Sequence, residues 1–243
     1  MEKLLLSEIA HCLNAECPEE KVITEISTDT RNLPAGCLFI AIKGERFDGH
    51  AFIKQAIENG AAAAVSEYPV DGCPCIVVKN TRTALLKLAK YYRSKFNPVL
   101  VGITGSVGKT TTKEMIALVL SEKYKTLKTQ GNLNNEIGLP KTLLNLDSSY
   151  QAAVIEMGMS DFGEIERLSN TAVPTIGVIT NIGFSHIENL KSQEGILKAK
   201  LEILSGMKSD APLIVNGDDR YLAPLKLELK SSRSVYLYGT GDK

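Results

Sequence analysis

The chain has 243 residues, 44% hydrophobic and 23% charged, with 28 Lys+Arg balanced by 28 Asp+Glu. At roughly 150 residues per domain, this length predicts one to two domains with a sizeable core and excludes a disulfide-stapled miniprotein. The zero net charge offers no global field for nucleic acid or a membrane surface. With no secretory leader and no run of about 18 uncharged apolar residues, a cytoplasmic protein is expected, without membrane insertion or nucleic-acid partner.

In chain order, the pattern predicts a helix near Leu4 to Leu13, a strand at Cys37 to Ile42, a helix near Ala51 to Asn59, and strands at Ala61 to Ser66 and Cys75 to Val78. A helix from Thr81 to Phe96 follows, with Leu85, Leu88, Ala89 and Tyr92 on one face, and Asn97-Pro98 ends it. The domain boundary is placed at the start of that helix, giving a small mixed α/β domain over 1–82 and a second domain over 83–243. The five cysteines, Cys12, Cys17, Cys37, Cys73 and Cys75, show no regular spacing. Reduced thiols are expected, and Cys73-Pro74-Cys75 lacks the spacing of a structural zinc site.

From Val99 onward, apolar runs alternate with helical patterns. The runs are Val99 to Thr104, Tyr124 to Leu127, Ala152 to Met157, Thr175 to Thr180, Pro212 to Asn216 and Val235 to Tyr238. Runs apolar throughout are the mark of strands covered on both faces, so a doubly wound, mostly parallel sheet is predicted. Ligands bind beyond the carboxyl ends of such strands. The polar residues that end four of the runs, Thr104, Glu156, Asn181 and Asn216, are expected to converge there.

Between the first of these strands and a helix with apolar Met115, Ile116, Val119 and Leu120 lies Thr104-Gly105-Ser106-Val107-Gly108-Lys109-Thr110-Thr111. Glycines let backbone N–H groups turn toward a polyphosphate, and the helix start adds partial positive charge. Lys109 reaches the outer phosphates, and the Thr110 hydroxyl holds magnesium. The general pattern wants a glycine five residues before Gly108, where Ile103 stands; the Gly108-Lys109-Thr110 tail carries the signal. No Asn-Lys-x-Asp guanine-reading motif occurs. Glu156, at the end of its strand, supplies the acid expected near the magnesium.

Four segments together resemble the Mur ligases: the phosphate loop; Glu156-Met157-Gly158; Thr180-Asn181-Ile182-Gly183-Phe184-Ser185-His186; and Ala199-Lys200-Leu201-Glu202-Ile203. The resemblance covers essentially the whole chain. Gly131-Asn132-Leu133-Asn134-Asn135-Glu136-Ile137-Gly138-Leu139-Pro140 is similar to the branch that adds D-alanyl-D-alanine to UDP-N-acetylmuramoyl-tripeptide. What the resemblance implies is ATP-driven amide formation in bacterial wall-precursor synthesis. The substrate carboxylate takes the γ-phosphoryl group to give an acyl phosphate and ADP, and the amine of D-alanyl-D-alanine then displaces phosphate. Two unit charges 4 Å apart cost about 4 kcal/mol at an effective dielectric near 20, so a carboxylate needs cations to approach the triphosphate.

By that resemblance, Lys109, Asn135, His186 and Lys200 are catalytic, and Thr104, Gly105, Ser106, Gly108, Lys109, Thr110 and Thr111 bind ATP; Asn216, at the end of its own strand, is read as facing the ATP ribose or adenine. Thr110 and Glu156 hold the nucleotide magnesium; His186 and Lys200 hold a second magnesium ion, Lys200 as a carbamate formed with CO₂. Read locally, His186 is a loop histidine, Lys200 a helix lysine reaching solvent, and Asn216-Gly217-Asp218-Asp219 a turn. Asn132 and Asn134 are expected to orient substrate, though asparagines also favour turns and caps, and Asn135 precedes a helical run. Ser27, Thr30, Arg31, Lys43, Asp48 and His50 resemble the family's segments for the UDP-sugar precursor. The family carries a third, C-terminal domain, so the chain is expected to be an N-terminal fragment without ligase activity of its own. The alternatives are a folylpolyglutamate synthase-like ligase and a non-catalytic nucleotide-binding module.

Overall fold

The computed structural model describes residues 1–44 and 47–241. Glu45 and Arg46 of the expected precursor-binding segment, and the terminal Asp242 and Lys243, lie outside them. By contact the chain forms two compact units: Met1–Tyr92 with Leu144–Asp147, and Arg93–Leu143 with Ser148–Lys243.

In the first unit, β1 (Leu4–Leu5) leads into α1 (Leu6–Leu13) and pairs antiparallel with β2 (Val22–Ile23). The expected helix therefore starts two residues late, because Leu4 and Leu5 are taken up in pairing. Helix α1 buries Leu6, Ile9, Ala10 and Leu13, one face at helical spacing. A parallel sheet follows, in the order β3 (Ile26–Ser27), β4 (Leu38–Ile40), β5 (Ala63–Ser66), β6 (Cys75–Val77). Strands β2 and β3 escaped the sequence reading, since two residues are too few to show a period.

The helix read near Ala51 to Asn59 is instead a 3₁₀ turn, Gly49–Phe52, followed by α2 (Ile53–Glu58). The Asp48 carboxylate accepts from the His50 N–H and starts the turn. Cys37, Phe39, Ala41, Ile53, Ala56, Ala61 and Ala64 form this unit's core. Helix α3 (Thr81–Ser94) buries Leu85, Leu88, Ala89 and Tyr92, as read. Its contacts place it mainly with the first unit, unlike the pattern-based 82/83 cut: Tyr92 Oη donates to Leu146 O and accepts from Glu2 N, both at 2.6 Å, and Tyr91 bonds Glu8.

The second unit runs β7 (Val99–Thr104), α4 (Lys109–Ser121), β8 (Thr126–Lys128), α5 (Gly138–Leu143), β9 (Ala152–Glu156), α6 (Glu164–Ala172) and β10 (Ile176–Ile179). It continues through α7 (Ile187–Leu190), α8 (Gln193–Leu201), β11 (Leu213–Asn216), α9 (Leu225–Glu228) and β12 (Val235–Tyr238). The sheet order is β12-β11-β10-β7-β9-β8, every pair parallel. The chain leaves β7 to one side for β8 and β9, then returns past it to β10, so order reverses around β7. Such a switch point opens a crevice at the carboxyl ends of β7, β9 and β10.

All five residues of β9 are buried, as are five of six in β7, which explains their unbroken apolar pattern. Helix α4 packs Ala117, Ile116 and Leu120 against Val101, Ile103, Val154 and Val178, whereas Met115 and Val119 face solvent. All five cysteines are free thiols. Among the described residues, no helix is long and apolar enough to cross a membrane.

Candidate functional site at the phosphate loop

The loop between β7 and α4 works only with glycine at its first position. Gly105 has φ +151°, and a Cβ there would lie 1.8 Å from Thr180 Oγ1, so the loop and the end of β10 approach to backbone distance. Gly108, at φ +79°, turns the chain into α4. Lys109 folds back on the loop, its Nζ donating to Gly105 O at 2.8 Å. Burial pushes the Lys109 pKa down, partly countered by the Glu156 carboxylate.

Glu156, 2% exposed, is the hub. Thr110 Oγ1 donates to its Oε2 at 3.0 Å and Asn134 Nδ2 to its Oε1 at 2.8 Å. Its backbone N–H donates to Thr129 Oγ1 at 2.9 Å, and Gly158 N to Asn134 O at 2.8 Å. Thr129 is held in turn by Lys113, whose Nζ donates to Thr129 O at 2.8 Å and pairs with Glu114. Sequence reading missed Lys113 and Thr129. The four-residue spacing from Lys109 sets Lys113 on the same helix face and was the available signal.

The loop after β10 closes the third side. Asn181 Oδ1 accepts from both Ser106 N and Val107 N at 3.0 Å, Thr180 Oγ1 donates to Val107 O, and Gly183 N donates to Ser106 Oγ. His186 lies farther along this loop, exposed, with φ +62° at the start of α7. Lys200, on α8, is 3% exposed. Burial, with the Lys109 ammonium adding to it, lowers its pKa to about 7. The reading of Lys200 as a solvated helix lysine is therefore overturned.

Asn135 Oδ1 accepts from Ile137 N and Gly138 N, capping α5, while Asn132 and Thr111 are exposed. Asn216 Oδ1 accepts from Asp218 N in a turn. Thr104 Oγ1 is buried without a hydrogen-bond partner among the described residues. In the first unit, Ser27 Oγ donates to Asp29 O, Thr30 is half-buried, and Arg31 pairs with Asp29 at 2.6 Å. Lys43 is exposed, and its backbone pairs with that of Asp48 in an isolated antiparallel bridge. His50 is buried with both ring nitrogens engaged: Nδ1 lies 2.5 Å from Asp48 Oδ1, and Nε2 accepts from Glu67 N at 3.0 Å. The N–H donated to Nε2 fixes Nδ1 as the protonated nitrogen, and the hydrogen bonds from His50 hold the Asp48 pKa down.

Thr110 and Glu156 offer hard oxygen donors within reach of each other, the set suited to magnesium that keeps water and phosphate oxygens as its remaining ligands. Among the described residues, no group of three or more His, Cys, Asp or Glu could hold a metal. His186 and an unmodified Lys200 offer nitrogen alone; a carbamate on Lys200 would add the missing oxygens.

A phosphate loop at the switch point of a six-stranded parallel sheet, with an acid on the neighbouring strand, defines a P-loop α/β protein. The Mur ligase middle-domain model matches residues 103–243, and the model for the Mur ligase family catalytic domain matches 22–93. The chain belongs to the Mur ligase family.

It is 49% identical over 227 residues to the UDP-N-acetylmuramoyl-tripeptide--D-alanyl-D-alanine ligase of Bacillus subtilis, covering 92% of this chain and 49% of that protein. The Escherichia coli protein of the same name is 42% identical, with 90% and 49% covered. A crystal structure of MurF from Acinetobacter baumannii superimposes with TM-score 0.92 at 36% identity, over 99% of this chain and 54% of that one. MurF ligase from Thermotoga maritima in complex with ADP gives 0.83 at 35%, over 90% and 51%. The chain thus spans about half the length of the curated relatives it matches.

Proposed function

We propose that the chain supplies the ATP-binding and precursor-binding parts of a ligase that adds D-alanyl-D-alanine to UDP-N-acetylmuramoyl-tripeptide in the cytoplasm. The carrying observation is the Lys109, Thr110, Glu156 and Asn134 cluster at the carboxyl edge of β7 and β9. Residues 83–243 serve ATP and 1–82 the UDP-sugar precursor. The relatives named above favour this reading over a folylpolyglutamate synthase-like ligase.

On this reading, the loop N–H groups and Lys109 bind the triphosphate, helped by Thr104, Gly105, Ser106, Gly108 and Thr111, with Asn216 near the nucleoside. Thr110 and Glu156 are the ligands for one magnesium, and His186 and carbamylated Lys200 for another. When bound, the two ions supply charge neutralisation between triphosphate and acceptor carboxylate. A Lys200 pKa near 7 leaves much of the amine neutral at neutral pH. The neutral nitrogen bonds to the carbon of CO₂ as one C=O π bond opens onto oxygen, and the nitrogen releases a proton to solvent, turning a buried neutral amine into an anion. Asn132 and Asn134 orient the peptide carboxylate, and Asn135 holds α5 in place beside them. Ser27, Thr30, Arg31 and Lys43 grip uridine and diphosphate, while Asp48 and His50 shape the loop that presents them.

The test is ADP release by the enzyme extended to the length of its relatives, with UDP-muramoyl tripeptide as acceptor. Release should depend on D-alanyl-D-alanine, and the 243-residue chain alone should show none above background. Release with a folate acceptor, or none with the tripeptide, would overturn the assignment.

A further inference from the structure

A phosphate loop presents N–H groups that turn to other acceptors when no phosphate is bound; Ser106 is buried, where an unpaired donor costs about 1–3 kcal/mol, while Val107 is exposed. Here two of them converge on one oxygen. Ser106 N and Val107 N both donate to Asn181 Oδ1 at 3.0 Å, and Ser106 N also lies 3.1 Å from Asn181 O. Two successive N–H groups meeting on a single acceptor form the concave nest that elsewhere holds an anion. The nest is held rigidly around its guest: Thr180 Oγ1 donates to Val107 O at 2.6 Å, Gly183 N to Ser106 Oγ at 2.9 Å, and Lys109 Nζ to Gly105 O. The first N–H groups of α4, by contrast, have no intrahelical acceptor.

We infer that the Asn181 carboxamide is an internal stand-in for a phosphate oxygen. It keeps the loop shaped for polyphosphate when no nucleotide is bound and gives up the Ser106 and Val107 N–H groups to the nucleotide. The inference rests on the nucleotide reading above. Asn181 is thus a positioning residue of the phosphate loop. An amide oxygen suits the task because it carries only partial charge: it satisfies the donors yet yields to a full anion, whereas a carboxylate would not.

That contrast sets the experiment, with magnesium ADP as probe on the 243-residue chain. Amide exchange at Ser106 and Val107 is followed by NMR without and with the probe, and affinity is measured by calorimetry. Asn181→Ala should speed exchange of the Val107 amide about tenfold or more in the ligand-free chain, and that of Ser106 less, since Ser106 N keeps the backbone oxygen of residue 181 at 3.1 Å. Asn181→Asp keeps the acceptor geometry and should keep both amides protected, yet weaken magnesium ADP about tenfold or more. Ser185→Asp controls for charge alone: Ser185 Oγ approaches Ser106 O, not the N–H pair, so its effect should be smaller. A purely structural Asn181 predicts that Asn181→Asp weakens magnesium ADP no more than Ser185→Asp does, which would overturn the inference. So would saturable binding that leaves the wild-type Ser106 and Val107 amides unperturbed, a result that spares the nucleotide reading. No saturable binding at all would overturn both.

Discussion

Thr110 and Glu156 are 46 residues apart, yet the Thr110 hydroxyl donates to the Glu156 carboxylate at 3.0 Å. That bond ties the first turn of α4 to the end of β9 and puts a hydroxyl and a carboxylate on one hard-cation site. The parallel pairing of β7 with β9, with Ile103 opposite Glu156, makes the approach possible.

Glu156→Gln tests the carboxylate at nearly constant shape. The amide can still accept from Thr110 or Asn134, so the melting temperature should change by no more than a few degrees, in line with the loss of about 1–2 kcal/mol. Magnesium-dependent ADP affinity should fall at least about tenfold. Equal affinity with and without magnesium in the wild-type chain would remove Glu156 from the metal site.

Lys200 makes stability depend on pH. Its folded pKa, about 7, lies below the roughly 10.4 of an unfolded lysine. Between these values the unfolded chain holds the extra proton, so stability should rise with pH from about 7 to about 10 and carry the full penalty below 7. In CO₂-depleted buffer, Lys200→Met should flatten that slope and stabilise the chain at pH 6. A denaturant series across this range decides it; an unchanged slope would show that the lysine is solvated.

Gly105→Ala should destabilise the chain by about 3 kcal/mol or more, through strain at φ +151° and overlap with Thr180 Oγ1. Adding Thr180→Ala removes the overlapping oxygen, so the double variant should recover part of the loss. A double-mutant cycle in urea measures this, and strict additivity would mean the two loops do not meet.

Thr104→Val replaces the buried, unpartnered hydroxyl with a methyl of the same shape. Thermal unfolding of the ligand-free chain should show a gain of about 1 kcal/mol. A loss of that size would reveal a partner for the hydroxyl.

Much of this was legible along the chain. The strands β7, β9 and β10 announced themselves because parallel strands covered on both faces are apolar throughout, and Gly108-Lys109-Thr110 marked the loop. Shorter elements were not legible: β2 and β3 have two residues each, and pairing partners over ten residues away decide them. The burial of Lys200 was invisible as well, since an isolated helix shows its faces but not what covers them.

Local chemistry, then, was written in the residues themselves: where the backbone turns, which runs are buried, which side chains can bear charge. The crossing connections alone decided that Asn181 would fill the nest of Ser106 and Val107, that Lys113 would hold Thr129, and that His50 would accept from Glu67 N beyond β5. Such contacts link elements distant in sequence or depend on what packs over a side chain, and no local period encodes which strand will lie beside which.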